Sequence, residues 1–142
     1  MASTLANAAL RAIPGAFILN SGLGKLQLDK DAYAHLQQMA VRGVPQVEDL
    51  DPQLFGKLLA GSEIALGSAL LTPFLPNRLV GLGLGAFSAG LISMYLNTPG
   101  MTEDDGFRPT QEGISLAKDT WLAAIAVALI FQTKRKTRKK SR

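Results

Sequence analysis

The sequence LVGLGLGAFSAGLISMYLN, residues 79–97, decides the fold class. It contains no ionisable group except a tyrosine, and it shows no polar stripe at helical spacing. A helix on the surface of a soluble bundle carries such a stripe, whereas a helix that crosses a bilayer needs roughly 20 mostly apolar residues. Residues 79–97 therefore predict a membrane-spanning helix.

Three further segments of similar length are mostly apolar. They cover residues 4–24, 52–72 and 115–132. Asp51 and Pro52 give the second of these an N-cap and a suitable first helical residue. The composition agrees, because 47% of the residues are hydrophobic and only 18% are charged, against about 25% charged in a typical soluble domain. We predict an all-α fold, an integral membrane bundle of four transmembrane helices that forms a single domain over residues 1–133.

The connection between the first two segments, residues 25–51, predicts a short helix of its own. Asp29 or Asp31 can cap its start, and Gly43 can end it just after Arg42. We expect this helix to lie at the outer membrane interface or over the mouth of the bundle.

Charge predicts the orientation of the chain. The tail KRKTRKKSR, residues 134–142, holds seven of the fifteen Lys and Arg residues, and such a run next to a span stays in the cytoplasm. With four spans, both termini are then cytoplasmic, and nine of the eleven acids fall in the outer connections or at their ends. The tail is expected to anchor the chain and to attract anionic lipids. It carries no interleaved aromatics, so we do not predict nucleic-acid binding.

The absence of cysteine excludes disulfides, thiolate metal sites and iron–sulfur ligation by this chain, and we predict no metal site and no evident cofactor. The glycines of GLGLGAFSAG, residues 81–90, lie inside one apolar segment rather than between a strand and a helix, so they do not predict a phosphate loop. They are small residues that let helices approach closely in lipid. We predict one packing seam at Gly81, Gly85 and Ala89, and a matching seam at Gly61, Ala65 and Ala69.

Several ionisable residues lie within or at the ends of the predicted spans. We single out four among the ionisable residues at these positions, Arg11, Lys25, Glu63 and Asp119. A charge in the bilayer is costly, so each group is expected to be paired, protonated or next to water. Depth along the helices predicts an Arg11–Glu63 pair in the inner half and a Lys25–Asp119 pair near the outer rim. These groups are either ion pairs that fix the helix register or a polar pocket for a quinone head group, a proton or a small polar ligand.

Short motifs along the chain resemble the DoxX-like family of small bacterial membrane proteins. They are RAIPGAFILNSGLGKL (11–26), RGVP (42–45), SEIALGSALLTP (62–73) and the KD pair at 118–119. Arg11, Lys25 and Glu63 match the polar positions of that family, and Asp119 matches them less closely. The resemblance implies a four-helix bundle in a bacterial plasma membrane, and some relatives are associated with redox or stress-response assemblies.

We therefore expect a non-catalytic subunit or partner of a membrane-associated redox or stress-response assembly. It would contact the lipid bilayer and protein partners in that assembly. The alternatives are a quinone-linked oxidoreductase subunit, with quinone in an intramembrane pocket, and a small transporter component.

Overall fold

The computed structural model describes residues 2–132, and the predicted basic tail 134–142 lies outside the described residues. The described part is helical, with no strand longer than a single bridge. Its helices are α1 (Ala2–Lys25), α2 (Lys30–Val41), α3 (Pro52–Leu71), α4 (Asn77–Asn97), α5 (Ile114–Ala117) and α6 (Thr120–Phe131). The prediction of an all-α chain is confirmed for these residues.

Three helical segments are long and apolar enough to cross a membrane. They are Pro52–Leu71, Asn77–Asn97 and Ile114–Phe131. The first predicted span, α1, is not among them, because Asn7, Arg11 and Asn20 interrupt its apolar residues. The prediction that the chain contains membrane-spanning helices agrees with this result. That α1 also spans the membrane, which would bring the number of spans to four, remains a prediction.

The ends of two helices follow the predicted local rules. The Asp51 carboxylate accepts hydrogen bonds from the backbone N–H groups of Gln53 and Leu54, and Pro52 begins α3. Asp29, one of the two predicted caps, accepts from the N–H of Ala32 at the start of α2. These acceptors satisfy N–H groups that have no partner within the helix.

The fourth predicted span consists of two helical pieces. Lys118 and Asp119 lie between α5 and α6, and both keep right-handed helical backbone angles. The chain therefore continues in nearly the same conformation through the junction. Asp119 lies at this junction and is half-buried.

The helices pack as two pairs that meet in one core. α1 lies along α3, and α4 lies along α6. Six buried apolar side chains join all four helices: Ile18, Leu70, Val80, Leu84, Ala126 and Leu129. Leu84 and Leu129 are fully buried. The core therefore lies where the two pairs touch, and it sets their relative position.

Glycines set the distance between α1 and α3. A Cβ atom added at Gly67 would lie 2.5 Å from the backbone nitrogen of Leu19, and one added at Gly22 would lie 2.8 Å from the carbonyl oxygen of Ala60. Distances below 3.0 Å force a shift, and here the obstacle is backbone. α1 and α3 thus approach more closely than any larger residue at these positions allows.

Only some residues of the two predicted small-residue seams lie at a contact between helices. Gly81 is buried and lies against Ile130 of α6, and Gly85 lies near Ala126. Ala89 and Ala65, however, are exposed, and nothing in the described part of the chain lies within 4 Å of a Cβ added at Gly61. α3 carries small residues on more than one face, and α1 covers the face that carries Gly67.

α2 covers the end of the α1–α3 pair at which α1 ends and α3 begins. The Tyr33 ring is buried directly over Gly56, and its hydroxyl donates to the Lys25 carbonyl at 2.6 Å. At the far end of α2, the Gly43 carbonyl accepts from the Ser93 hydroxyl of α4 at 2.9 Å. The predicted outer helix therefore connects both helix pairs.

Candidate functional site

Glu63 is a buried carboxylate near the middle of α3. It is the twelfth residue of that twenty-residue helix, and its side chain is only 5% exposed. Its Oε2 accepts a hydrogen bond from the Lys25 ammonium at 3.0 Å, and the same ammonium donates to the Ser21 hydroxyl at 2.6 Å. We call these three residues the Lys25–Glu63 site. Opposite charges placed in this way offset the cost of burying either one.

The close approach of the two helices puts Lys25 within reach of Glu63. Gly22 lies against Ile64, so Lys25 lies one helical turn beyond the level of Glu63. A lysine side chain on a helix can extend along the helix to a polar partner. The bond from Tyr33 to the Lys25 carbonyl fixes the last turn of α1, from which this side chain extends.

The predicted Arg11–Glu63 pair is wrong, because Arg11 lies at the C-terminal end of α3, whereas Glu63 lies near the middle of that helix. α1 and α3 run antiparallel, and the residue beside Ile64 is Gly22. Arg11 is eleven residues from Gly22, which corresponds to roughly 16 Å along the helix axis. Depth from each helix end does not predict the partner, because α3 extends beyond the C-terminal end of α1 and is covered there by α2.

The Arg11 guanidinium instead binds the C-terminal end of α3. It is 5% exposed and uses all five of its N–H groups as donors. The acceptors are the backbone oxygens of Ala69, Leu70, Thr72 and Leu75 and the side-chain Oδ1 of Asn77. The last carbonyls of a helix lack partners within it and carry partial negative charge. Arg11 therefore satisfies these groups and ties α1 to the turn between α3 and α4.

The predicted Lys25–Asp119 pair is also wrong. The Lys25 ammonium faces Ser21 and Glu63, while Asp119 lies at the junction of α5 and α6. In residues 2–132, the Asp119 carboxylate forms no salt bridge and does not cap α6. The structure thus divides the four predicted polar residues among three places.

The Arg11 end of the bundle holds a network of side-chain amides that the sequence patterns did not predict. Asn77 donates through Nδ2 to the side-chain oxygens of Asn7 and Gln132, each at 2.6 Å, and accepts from Arg11. Asn77 thereby links α1 and the end of α6 to the α3–α4 turn. The signal in the sequence was an asparagine directly after Pro76, at the start of an apolar segment.

Two clefts border Arg11 at this end. The first has a volume of about 560 Å³ and lies around the α3–α4 turn. The second, of about 340 Å³, lies between the first half of α1 and the end of α3. Asn7, Arg11 and Pro73 line both clefts. We call them the polar cleft and the apolar cleft, after the side chains that line them.

The second long connection, residues 98–113, folds back on itself. The Asp105 carboxylate accepts from the backbone N–H groups of Phe107 and Arg108 and pairs with the Arg108 guanidinium at 2.5 Å. The Arg108 side-chain bond and these backbone bonds lower the pKa of Asp105 to about 2, and the pair raises the pKa of Arg108. The Tyr95 hydroxyl donates to the Phe107 carbonyl at 2.7 Å and fastens this loop to α4.

In residues 2–132, no group of three or more histidine, aspartate and glutamate side chains is placed to hold a metal ion. The Lys25–Glu63 site joins an acid, a base and a hydroxyl, which can hold the helices in register or exchange a proton. The Arg11 end combines positive charge with open space. These two places bring several polar side chains together among apolar helices, whereas Asp119 lies apart from both.

Comparisons with protein families, curated proteins and solved structures find no match to this chain.

Proposed function

We propose that the chain is a four-span membrane protein of the DoxX-like type, with both termini in the cytoplasm of a bacterial cell. In this proposal it serves as a non-catalytic subunit or partner of a membrane-associated redox or stress-response assembly. The motif resemblance motivates the kind of assembly. The way in which the buried charges are used supports the non-catalytic role.

The arrangement of α1 supports a fourth span. It has 24 residues and is therefore about 36 Å long, enough for a hydrocarbon core of about 30 Å. It lies along α3, and its two buried or half-buried charges, Arg11 and Lys25, both face partners on α3 or the turn after it. Its exposed side chains include Ile13 and Phe17, which suit contact with lipid. Satisfied polar groups make insertion of this helix less costly than its sequence indicates.

The observation that carries the non-catalytic role is the bonding of Arg11. An arginine binds an anionic substrate through free N–H donors, and all five N–H groups of Arg11 are used by the protein. Glu63 faces Lys25 at 3.0 Å and is 5% exposed. Both buried charges therefore hold helices together in this arrangement.

The surfaces suited to protein partners lie on the predicted outer side. α2 and the loop 98–113 are tied to the bundle by Tyr33, Ser93 and Tyr95, and they present acidic side chains. An ordered polar surface loses little conformational entropy on binding, which favours recognition by another protein.

The test is purification of the tagged full chain from its native membrane in mild detergent, followed by identification of bound proteins and extracted quinones. We expect an oxidoreductase or stress-response protein at a fixed ratio to the chain. A chain that is purified alone, from cells under both oxidative and unstressed conditions, contradicts the proposal. Recovery of a quinone that is lost in Glu63→Gln would favour the quinone-linked alternative.

A further inference from the structure

The polar cleft and the apolar cleft adjoin at Arg11, so together they form one cavity with a polar part and an apolar part. The polar cleft lies around the α3–α4 turn, at the end that the charge pattern places in the cytoplasm. The apolar cleft adjoins it between the first half of α1 and the end of α3, at the level where these helices enter the predicted bilayer. A ligand that fills both needs a polar head and an apolar chain.

The polar cleft is positive. Its lining includes the exposed Arg78 and the buried Arg11, and it includes no acid. α4 begins beside it at Asn77 without a side-chain N-cap, so the positive end of that helix dipole adds to the field. The Asn7 and Gln132 amides accept from Asn77 through their oxygens, and no described residue accepts from their NH₂ groups.

The apolar cleft differs in its lining. Apart from Thr4 and the two residues Asn7 and Arg11 at the shared rim, it is lined by Ala8, Ala12, Leu70, Leu71 and Pro73. Ala8 and Ala12 are one turn apart on the exposed side of α1, and their small side chains leave a groove along that helix. Such a groove accommodates a hydrocarbon chain and offers nothing to a free inorganic anion.

We propose that the two clefts bind one anionic phospholipid, with its phosphate in the polar cleft near Arg78 and an acyl chain in the apolar cleft. The proposal rests on the membrane placement proposed above. It differs from diffuse attraction to the basic tail, because it requires one particular arginine and one particular groove. Arg11 contributes its charge to the site, since its N–H groups are already used.

The test is native mass spectrometry of the detergent-solubilised full chain, titrated with phosphatidylglycerol or with phosphatidylcholine of the same chain length. We expect the anionic lipid to bind more tightly, and Arg78→Gln to weaken its binding about fivefold, as expected for one basic residue near a membrane surface. Lys57→Gln is the matched control, because Lys57 is also exposed but lies outside both clefts. The basic tail is unchanged in every variant, so its contribution to lipid binding is the same on both sides of each comparison.

A second pair of variants tests the groove. Ala12→Trp fills the apolar cleft without changing charge, and Ala16→Trp adds the same bulk one turn away, outside the clefts. We expect only the former to weaken phosphatidylglycerol binding. Equal binding by Arg78→Gln and the unaltered chain overturns the site, as does full competition by inorganic phosphate. A chain that remains monomeric in solution without detergent overturns the membrane placement as well.

Discussion

Lys25 Nζ lies 3.0 Å from Glu63 Oε2, so the ammonium at the end of α1 neutralises the carboxylate near the middle of α3. The partner of Glu63 is thus set by the antiparallel alignment of two helices, with Gly22 against Ile64. The ion pair with Lys25 explains why a carboxylate is tolerated in a helix that is apolar enough to cross a membrane.

The first prediction concerns the energy of this pair. Removing one partner of a buried ion pair leaves an isolated charge, which costs roughly 3–5 kcal/mol. We expect Glu63→Gln and Lys25→Met each to lower the thermal unfolding midpoint in mild detergent, with an effect at the lower end of that range because Lys25 is 19% exposed. The double variant should recover much of the loss, since neither remaining side chain is charged.

Arg11 provides the control for this cycle. Arg11→Gln combined with Glu63→Gln should lose the sum of the two single effects, because Arg11 binds the C-terminal end of α3, Glu63 lies near its middle, and the two share no partner. Additive losses for Lys25 and Glu63, with coupling between Arg11 and Glu63 instead, would contradict the observed alignment.

The helices themselves could be predicted from the sequence because lipid-crossing length and capping are local properties. Asp51 and Asp29 cap the helices that their positions indicated. The pairing of charges could not be predicted in this way. It depends on how far two helices slide past each other, and that offset is set by contacts between residues distant in the chain, such as Gly67 against Leu19.

The positions of the packing seams also could not be predicted from local sequence alone. The sequence of α3 has small residues on more than one face, with Gly61 and Ala65 on one and Gly67 on another. Spacing alone does not say which face meets a neighbour. In the structure, α1 covers Gly67, while Gly61 and Ala65 of the predicted face are exposed and Ala69 is half-buried against the core.

The second prediction uses these two glycines of α3 as a matched pair. Gly67→Ala should destabilise the bundle, because the added methyl group meets the backbone of Leu19 and Gly15 at 2.5 to 2.8 Å. Gly61→Ala should stabilise it by roughly 0.5–1 kcal/mol, since alanine replaces glycine in a helix interior without a clash. The measurement is again the thermal unfolding midpoint in detergent. Shifts of the same sign for both variants would show that the α1–α3 contact does not determine stability.

The third prediction concerns topology. The chain has no cysteine, so single cysteines report position without a background. In intact cells, a membrane-impermeant thiol reagent should label Asp104→Cys, in the exposed loop 98–113, and should spare Ser141→Cys in the basic tail. Permeabilised cells should show labelling of both. Labelling of Ser141→Cys from outside in intact cells would reverse the proposed orientation.

The fourth prediction concerns the pH dependence of the loop 98–113. The pKa of Asp105 is about 2, below the value of about 3.9 that an aspartate has in an unfolded chain. A lowered pKa means that the ionised carboxylate stabilises the loop. That contribution is complete above about pH 4 and is lost as the pH falls through about 2.

Nuclear magnetic resonance of the detergent-solubilised chain checks this directly. The backbone N–H signals of Phe107 and Arg108, which donate to Asp105, should stay constant from pH 7 to about 4 and should shift with a midpoint near 2. Asp105→Asn should remove that transition. It should also speed hydrogen exchange of both amides at pH 6, because a neutral amide oxygen accepts less strongly than a carboxylate and no longer pairs with the Arg108 guanidinium. A transition that persists in Asp105→Asn would assign the pH response to a different carboxylate.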